Sequence, residues 1–383
     1  MYVTLSENEL EEIKGSTTYA CCFNFLNVGL ALYCDDKEPL KIFKGIYYSF
    51  ITEKLPEEFI DCYVLKKSKC YPGLCMVIDD KLYRLGEEGG FDWAEMMIFQ
   101  RIMELMENYL LLHAGVVSRE GRAYIIYAPS GFGKTTLILN LVSRGYHFLS
   151  DEFCPVRLDD FTIMPFPRRV GLKKDSPFYS QVNKSNAFYL AHEQKLFSDF
   201  HDIFPGKTGQ GSMAKCLIIL SQTGGLPEEP KDDHSFYEML LFNDNPVIID
   251  YITQQTEIEI VHKYKRGYHT GYRLHIPRNK SLVTAFQDIW KKFENDIFCV
   301  GRISENKPDF SCSPAITKMP KSEAVFEILI QLLNRSHSGR LMKKFSGKTM
   351  PVLMEVGRLL NNIDCYRMKP GTMYEMADII DNL

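Results

Sequence analysis

The chain has 383 residues, of which 45% are hydrophobic and 25% are charged, and its formal net charge is -4. This composition is typical of a folded globular protein with room for two or three domains. The slightly acidic balance gives no support for a surface that binds nucleic acid or an anionic membrane. No apolar run reaches the length of about 18 residues that a membrane span needs, so we expect none.

Cysteine usage and the N-terminus indicate the compartment. The 11 cysteines are scattered, and none forms a Cys-x-x-Cys pair. This pattern favours a reduced protein whose cysteines pack as small apolar side chains over a disulfide framework or a zinc site. The first residues lack a basic region followed by an apolar stretch, so we expect no signal peptide. We therefore predict a cytoplasmic protein.

A strand-rich N-terminal domain is predicted over residues 1–90. Residues 76–85 read as a hairpin that turns at Asp79 and Asp80. Further candidate strands lie at 17–33 and 41–48. Apolar residues at helical spacing then predict a helix over 91–112.

The central part, residues 91–300, alternates between strands and a helix and predicts an α/β core. Its expected elements are strands at 111–117, 123–127, 145–152 and 214–221 and a helix at 136–142. In such a core the ligand binds at the carboxyl ends of the strands. The last part, 301–383, is predicted to be mainly helical, with helices at 322–334 and 373–383.

The most informative motif is Ala-Pro-Ser-Gly-Phe-Gly-Lys-Thr-Thr at 128–136, between the strand at 123–127 and the helix that follows. A glycine-rich turn that opens a helix presents backbone N–H groups and the positive end of the helix dipole to phosphates. Lys134 can reach the outer phosphates, and the Thr135 hydroxyl can bind Mg²⁺. Ala128 replaces the first glycine of the usual pattern. We predict that ATP and Mg²⁺ bind at Ser130, Gly131, Phe132, Gly133, Lys134, Thr135 and Thr136.

Asp151 and Glu152 are the candidates for chemistry, because they lie at the end of a strand expected close to the nucleotide strand. One acid can take the proton of an attacking hydroxyl, and the other can help to bind Mg²⁺. The alternative is a solvated turn with two surface acids.

Three further residues and one loop have both a functional and a structural interpretation. His113 is either an active-site partner of phosphate or a carboxylate, or a core histidine. Arg168 and Arg169 follow Pro-Phe-Pro and either bind a substrate phosphate or carboxylate, or form a solvated basic turn. A glycine-rich loop at 206–211 is either a cover for the site or an ordinary surface loop.

Residues 112–156 resemble the catalytic region of the HPr serine kinase/phosphorylase family. The resemblance is carried by Leu-His-Ala-Gly at 112–115, the motif at 128–135 and the stretch 144–152. The Ser-Gly-x-Gly-Lys-Thr motif is similar to the phosphate loop of phosphoenolpyruvate carboxykinase as well. The closer match is to the HPr-kinase-like group found beside genes for modified peptides, such as lasso peptides, and for cell-surface polymers.

That resemblance implies a P-loop, HPr-kinase-like core in which Asp151 is the catalytic base and His113 supports the phosphate and the base. Lys134 and Thr135 would contact phosphate and Mg²⁺. Glu152 stands where the family has a second Asp, so its metal role would be played by a longer side chain. HPr-kinase relatives assemble as oligomers, which implies a possible homo-oligomer. The N-terminal part is unlike the regulatory domain of HPr kinases, so HPr itself is not supported as the substrate.

We therefore expect an ATP- and Mg²⁺-dependent kinase that phosphorylates a hydroxyl group, on a serine of a peptide or on a small molecule. The alternatives are a nucleotide-binding regulatory or partner module that transfers no phosphate, and an enzyme of the carboxykinase type. A shared loop does not carry over a reaction, and neither the acceptor nor a preference for ATP over GTP is encoded in these motifs.

Overall fold

The computed structural model of the chain is a mixed α/β protein with several β-sheets, in agreement with the α/β class predicted from the sequence. The structure describes residues 2–66, 73–85, 90–129, 131–182, 187–190, 194–221, 234–241, 244–266, 269–277, 289, 292–293, 296–302, 308–334 and 349–383. Among these residues, no helix has both the length and the apolar character needed to cross a membrane.

A seven-stranded sheet forms the first part of the chain, as its strand-rich sequence predicted. Its strands are β1 (Tyr2–Thr4), β2 (Tyr19–Phe25), β3 (Val28–Cys34), β4 (Ile51–Thr52), β5 (Phe59–Leu65), β6 (Cys75–Ile78) and β7 (Lys81–Arg84). Their order is β1-β7-β6-β5-β3-β2-β4. The predicted hairpin is confirmed, because Asp79 and Asp80 turn between β6 and β7 with φ of 48° and 59°.

Helices α1 (Glu7–Ser16) and α2 (Lys37–Ile46) interrupt these strands. The strand expected at 41–48 was wrong, since most of it belongs to α2. Asp36 caps this helix by accepting a hydrogen bond of 2.9 Å from the backbone N–H of Glu38. The buried side chains recur at a helical rather than an alternating period, at Pro39, Phe43 and Ile46.

Helix α3 (Gly90–Leu105) ends earlier than the helix expected over 91–112, and a strand follows it. The apolar face of α3 packs in the same cluster as the seven-stranded sheet. Its buried members are Trp93, Ala94, Ile98, Phe99, Ile102 and Met103. The helix predicted to begin the central domain is therefore packed with the N-terminal part.

The central sheet has nine strands. They are β8 (Tyr109–Leu112), β9 (Gly115–Arg119), β10 (Arg122–Tyr127), β11 (His147–Ser150), β12 (Cys154–Arg157), β13 (Thr162–Ile163), β17 (Ser212–Leu220), β22 (Ala315–Lys318) and β23 (Asp364–Lys369). Seven of them follow the order β11-β9-β10-β17-β13-β12-β8. In addition, β23 pairs with β17, and β22 pairs with β23. Strands β10, β17 and β23 run parallel, whereas β9 is antiparallel to both of its neighbours.

The single strand predicted around His113 is two strands. Leu112 pairs with Cys154 of β12, whereas Gly115 pairs with Ile126 of β10. The chain changes partner strands between these two pairings, and His113 lies at the change.

The described residues also form two smaller sheets. One contains β14 (Val170–Leu172), β15 (Phe188–Leu190) and β16 (Lys195–Ser198), and the other contains β18 (His234–Leu241), β19 (Glu259–Arg266), β20 (His269–Pro277) and β21 (Ile297–Arg302). Further helices among the described residues are α4 (Lys134–Ser143), α5 (Phe200–Ile203), α6 (Pro246–Gln255), α7 (Lys321–Asn334), α8 (Thr349–Asn361) and α9 (Met373–Asp381). The two predicted C-terminal helices thus correspond to α7 and α9.

The apolar side chains of strand β10 alternate between the two faces of the central sheet, and each face has its own apolar cluster. Tyr124 and Ile126 pack with the side chains of α4 and α9, whereas Ala123 and Ile125 pack with those of α7 and α8. Alternation along one strand thus places helices on both sides of the sheet.

Candidate functional site

The glycine turn, residues 128–133, joins β10 to α4. Gly131 and Gly133 have φ of +87° and +79°, a region that glycine adopts at little cost. Gly133 is the N-cap of α4, so the first N–H groups of the helix open toward the turn. Ser130 lies outside the described residues.

Phe132 and Thr136 occupy different environments. The Phe132 side chain is 4% exposed and belongs to the apolar cluster that contains Leu137 and Leu141 of α4. It anchors the turn, so its contribution to a ligand would come from its backbone. Thr136 is half-buried in the first turn of α4.

The direction of the strands brings Asp151 to the glycine turn. Because β9 is antiparallel to both β10 and β11, these two strands run in the same direction. Their carboxyl ends therefore lie at the same edge of the sheet, where β10 leads into the turn and β11 leads into Asp151.

Two side chains at the start of α4 contact Asp151. The Nζ of Lys134 lies 3.1 Å from Asp151 Oδ1 and also donates to the backbone carbonyl of Asp151. The Thr135 hydroxyl donates to Asp151 Oδ2 at 2.7 Å. One carboxylate therefore binds both the lysine and the threonine of the motif.

The Lys134–Asp151 pair is largely shielded from water. The side chains are 10% and 6% exposed, respectively. A buried pair of this kind is weak in net stabilisation, but removing one partner leaves an uncompensated charge. An anion that bound Lys134 would compete with Asp151 for the same ammonium group.

Asp151 and Glu152 lie in a short turn between β11 and β12. The Ser150 hydroxyl accepts from the backbone N–H of Phe153 at 3.0 Å and donates to the carbonyl of the same residue. The two acids point to different partners, because Glu152 Oε2 lies 3.1 Å from Nη1 of Arg168. Among the contacts described, Thr135 meets Asp151, and Glu152 meets Arg168.

Arg168 and Arg169 are buried, at 7% and 5% exposure, so they do not form the solvated turn that was the alternative interpretation. Both contact the carboxylate of Glu95, which is itself 5% exposed. Their guanidinium groups lie over the rings of Phe99 and Phe197 at 4.1 and 4.3 Å from the ring centroids. Their predicted role in binding substrate stays a prediction.

Tyr47 extends this charged cluster to the N-terminal part. Its hydroxyl lies 3.1 Å from Oε1 of Glu95. Burial raises the pKa of Tyr47 to about 12, against the lowering influence of Arg168 and Arg169. The phenol therefore stays protonated and can donate to the carboxylate at neutral pH.

His113 lies near the acids. Its ring is half-buried and meets Phe153 edge-on, with the ring centroids 5.9 Å apart. Phe153 follows Asp151 and Glu152 in the same turn, so the change of strands at His113 brings the imidazole to that turn. The role predicted for His113 in catalysis stays a prediction.

The glycine-rich loop at 206–211 is attached to the sheet. The backbone N–H of Phe148 donates to the carbonyl of Lys207, and the N–H of Gly209 donates to the carbonyl of Phe148, both at 2.8 Å. These bonds pair the loop with the outer edge of β11, so the loop runs along the edge of the central sheet.

Two residues of this region have roles that were not anticipated from the sequence. Glu95 accepts hydrogen bonds from both arginines, and in the sequence it is one of three acids in a mostly apolar helix. Gly115 has a packing role, because a Cβ there would lie 2.9 Å from Ile138 and 3.3 Å from Cγ of Lys134. Its absence of a side chain leaves room for the stem of Lys134.

The residues at the glycine turn fit a magnesium ion. The Thr135 hydroxyl and the Asp151 carboxylate supply hard oxygen donors, and Mg²⁺ in nucleotide sites uses one or two carboxylates together with phosphate oxygens. Within the described ranges, no group of three or more His, Cys, Asp and Glu side chains could hold a metal. In nucleotide sites phosphate oxygens and water complete the ligand set of such an ion.

Comparisons with known proteins add little to this geometry. No protein-family model matches the chain, and no curated protein matches it. Among solved structures, the chain is similar to the Hpr(Ser) kinase/phosphatase from Coxiella burnetii, at 14% identity over 34% of this chain and 70% of that chain, with a TM-score of 0.21. This is at most a distant relationship to a kinase, and a TM-score that low carries no argument about fold or activity.

Proposed function

We propose that this chain is an ATP- and Mg²⁺-dependent kinase with a P-loop core that phosphorylates a hydroxyl group, on a serine of a peptide or on a small molecule. The observation that carries the proposal is the meeting of Lys134 and Thr135 with the carboxylate of Asp151 at the carboxyl edge of parallel strands. A phosphate-binding turn alone would indicate a binder, whereas an acid beside it supplies a group that can move a proton.

Phosphate binding would change the partners of Lys134. The ammonium group and the first N–H groups of α4 would bind the outer phosphates, as positive groups at a helix N-terminus do. Lys134 would then leave the Asp151 carboxylate that it contacts at 3.1 Å. Asp151 would become free to accept a proton.

In the transfer step Asp151 takes the proton of the acceptor hydroxyl, and the oxygen forms a bond to the γ-phosphorus. The bond between that phosphorus and the bridging oxygen breaks, and ADP leaves with the electron pair. A bound magnesium ion supplies electrostatic stabilisation of the phosphates, for which Thr135 and Asp151 offer oxygen donors. The metal role expected of Glu152 stays a prediction, and its carboxylate contacts Arg168 at 3.1 Å.

The test is incubation with Mg²⁺ and ATP in the presence of candidate peptides and hydroxy compounds, read as ADP formation and a mass gain of one phosphate on the acceptor. We expect Asp151→Asn to lower turnover at least about a hundredfold, as loss of a general base does, while ATP still binds. Lys134→Ala should instead weaken ATP binding, measured by calorimetry.

Glu152→Gln is the matched control for Asp151→Asn, because it changes the neighbouring acid of the same turn. We expect a smaller loss of turnover, since Glu152 contacts Arg168 rather than Thr135. Near-normal turnover in Asp151→Asn would contradict the role of Asp151 as the general base. ATP binding without phosphate transfer to any acceptor would favour a regulatory module.

A further inference from the structure

An aromatic side chain from the C-terminal region lies against the glycine turn. A Cβ built on Gly133 would be 3.1 Å from Cε1 and 3.3 Å from Cζ of Phe310. The ring edge of Phe310 therefore packs on the last residue of the turn. The side chain is nevertheless 40% exposed, which leaves much of an apolar ring in contact with water at the start of α4.

Hydrogen bonds within its own turn hold the segment that carries Phe310. The carboxylate of Asp309 accepts from the backbone N–H of Ser311 at 2.9 Å and from its hydroxyl at 2.6 Å. The Cys312 thiol donates to the other carboxylate oxygen at 3.1 Å. These bonds lower the pKa of Asp309 to about 2, so at neutral pH the carboxylate is ionised and can accept all three.

The same segment is fixed to the central sheet. A Cβ on Gly371 would lie 2.5 Å from the carbonyl oxygen of Cys312 and 2.4 Å from Cδ of Pro314. Gly371 follows β23, which pairs with β17, and β17 pairs with β10. The segment that carries Phe310 therefore packs on Gly371, just after β23, and β23 belongs to the same sheet as β10, the strand that leads into the glycine turn.

We propose that Phe310 is the platform on which the base of the bound nucleotide stacks. The inference rests on the proposed function, because it takes the phosphates to bind at the glycine turn. Phosphates bound by the N–H groups of α4 would leave the nucleoside outside the turn, and the exposed ring on Gly133 is the aromatic surface that the proposal assigns to its base. Every base has a π-face, so a single aromatic platform adds affinity without choosing between adenine and guanine. Phe310 thus supplies base affinity, and selection between ATP and GTP falls to other groups.

The test compares ligands that have a base with one that has none. Calorimetric titrations of the full chain with ATP, GTP and inorganic tripolyphosphate, each with Mg²⁺, are made for the unaltered protein, Phe310→Ala and Phe310→Tyr. Phe59→Ala is the matched control, since Phe59 is 48% exposed on β5 of the other large sheet. We expect Phe310→Ala to weaken ATP and GTP alike, by roughly five- to a hundredfold, and to leave tripolyphosphate binding unchanged. Phe310→Tyr keeps a ring and should bind like the unaltered protein, as should Phe59→Ala.

Three results would contradict the proposal that the base stacks on Phe310. Unchanged ATP affinity in Phe310→Ala would show that the ring does not meet the base. Tighter binding of all three ligands would make the ring an obstruction. Equal weakening of all three would mean that it only supports the turn. Lys134→Ala separates these outcomes from failure of the proposed function, because it should weaken all three ligands. An unaltered protein that binds none of them overturns both proposals.

Discussion

At the scale of single residues, charge burial distinguishes Glu95 from Glu104 of the same helix. Glu95 is 5% exposed and contacts both Arg168 and Arg169, whereas Glu104 is a partly exposed partner of Arg101 in the last turn of α3. Breaking a buried ionic cluster leaves charge without its counterion in a medium that solvates it poorly. Exposed pairs are solvated and screened in either state.

We expect Glu95→Gln to lower the free energy of unfolding by about 3–5 kcal/mol, the usual cost of breaking a buried ion pair. Glu104→Gln should change it by less than about 1 kcal/mol. Urea denaturation of the two variants beside the unaltered protein provides the measurement. Equal, small effects would show that the arginines do not depend on Glu95 for their charge balance.

At the scale of elements, α9 makes two kinds of contact with α4, the helix that begins at the glycine turn. Ile380 is fully buried in the apolar cluster that contains the α4 side chains. Arg144, which caps the end of α4, contacts Asp378 at 2.5 Å and Asp381 at 3.0 Å. The buried contact removes apolar surface from water, whereas Asp378 is 64% exposed.

This difference predicts which contact holds α9 on α4. Ile380→Ala should destabilise the protein by about 2–5 kcal/mol, because it leaves a cavity in a close-packed cluster. Asp378→Asn should cost less than about 1 kcal/mol. Chemical denaturation gives both numbers, and a larger loss in Asp378→Asn would mean that ionic contacts rather than packing hold α9.

At the scale of the whole molecule, Phe166 connects the N-terminal sheet to the central part. Its backbone N–H donates to the carbonyl of Leu149 in β11 at 2.7 Å. Its ring packs in the N-terminal cluster, with centroid distances of 6.2 Å to Phe25, 4.8 Å to Phe50 and 5.9 Å to Phe99. Phe166 thus contacts the strand that leads to Asp151 through its backbone and the other large sheet's cluster through its ring.

We expect Phe166→Ala to lower the free energy of unfolding by about 3–5 kcal/mol, since a buried ring is lost. Because the ring seats Phe166 in the N-terminal cluster while its backbone bonds β11, amide hydrogen exchange should speed up in both β3 and β11, measured by mass spectrometry of their peptides. Phe326→Ala, at a position that is 60% exposed on α7, is the control and should change neither. Faster exchange in only one of the two strands would indicate that the sheets unfold independently.

Local chemistry made several elements predictable from the sequence. The order strand, glycine turn, helix around Gly131 and Gly133 follows from backbone freedom at those positions, and the hairpin at Asp79 and Asp80 from their tolerance of positive φ. The α2 region was misread, because short apolar runs fit either period and the cap at Asp36 was overlooked.

The sequence by itself determined the mixed α/β class, the glycine turn and the two acids that follow β11. Tertiary structure decided which acid meets the turn, which carboxylate Arg168 and Arg169 share, and that Phe310 reaches Gly133. The physical reason is the separation along the chain of the residues that interact. Turn and helix signals act between neighbours in the chain, whereas these contacts join residues that only strand pairing and apolar packing bring together.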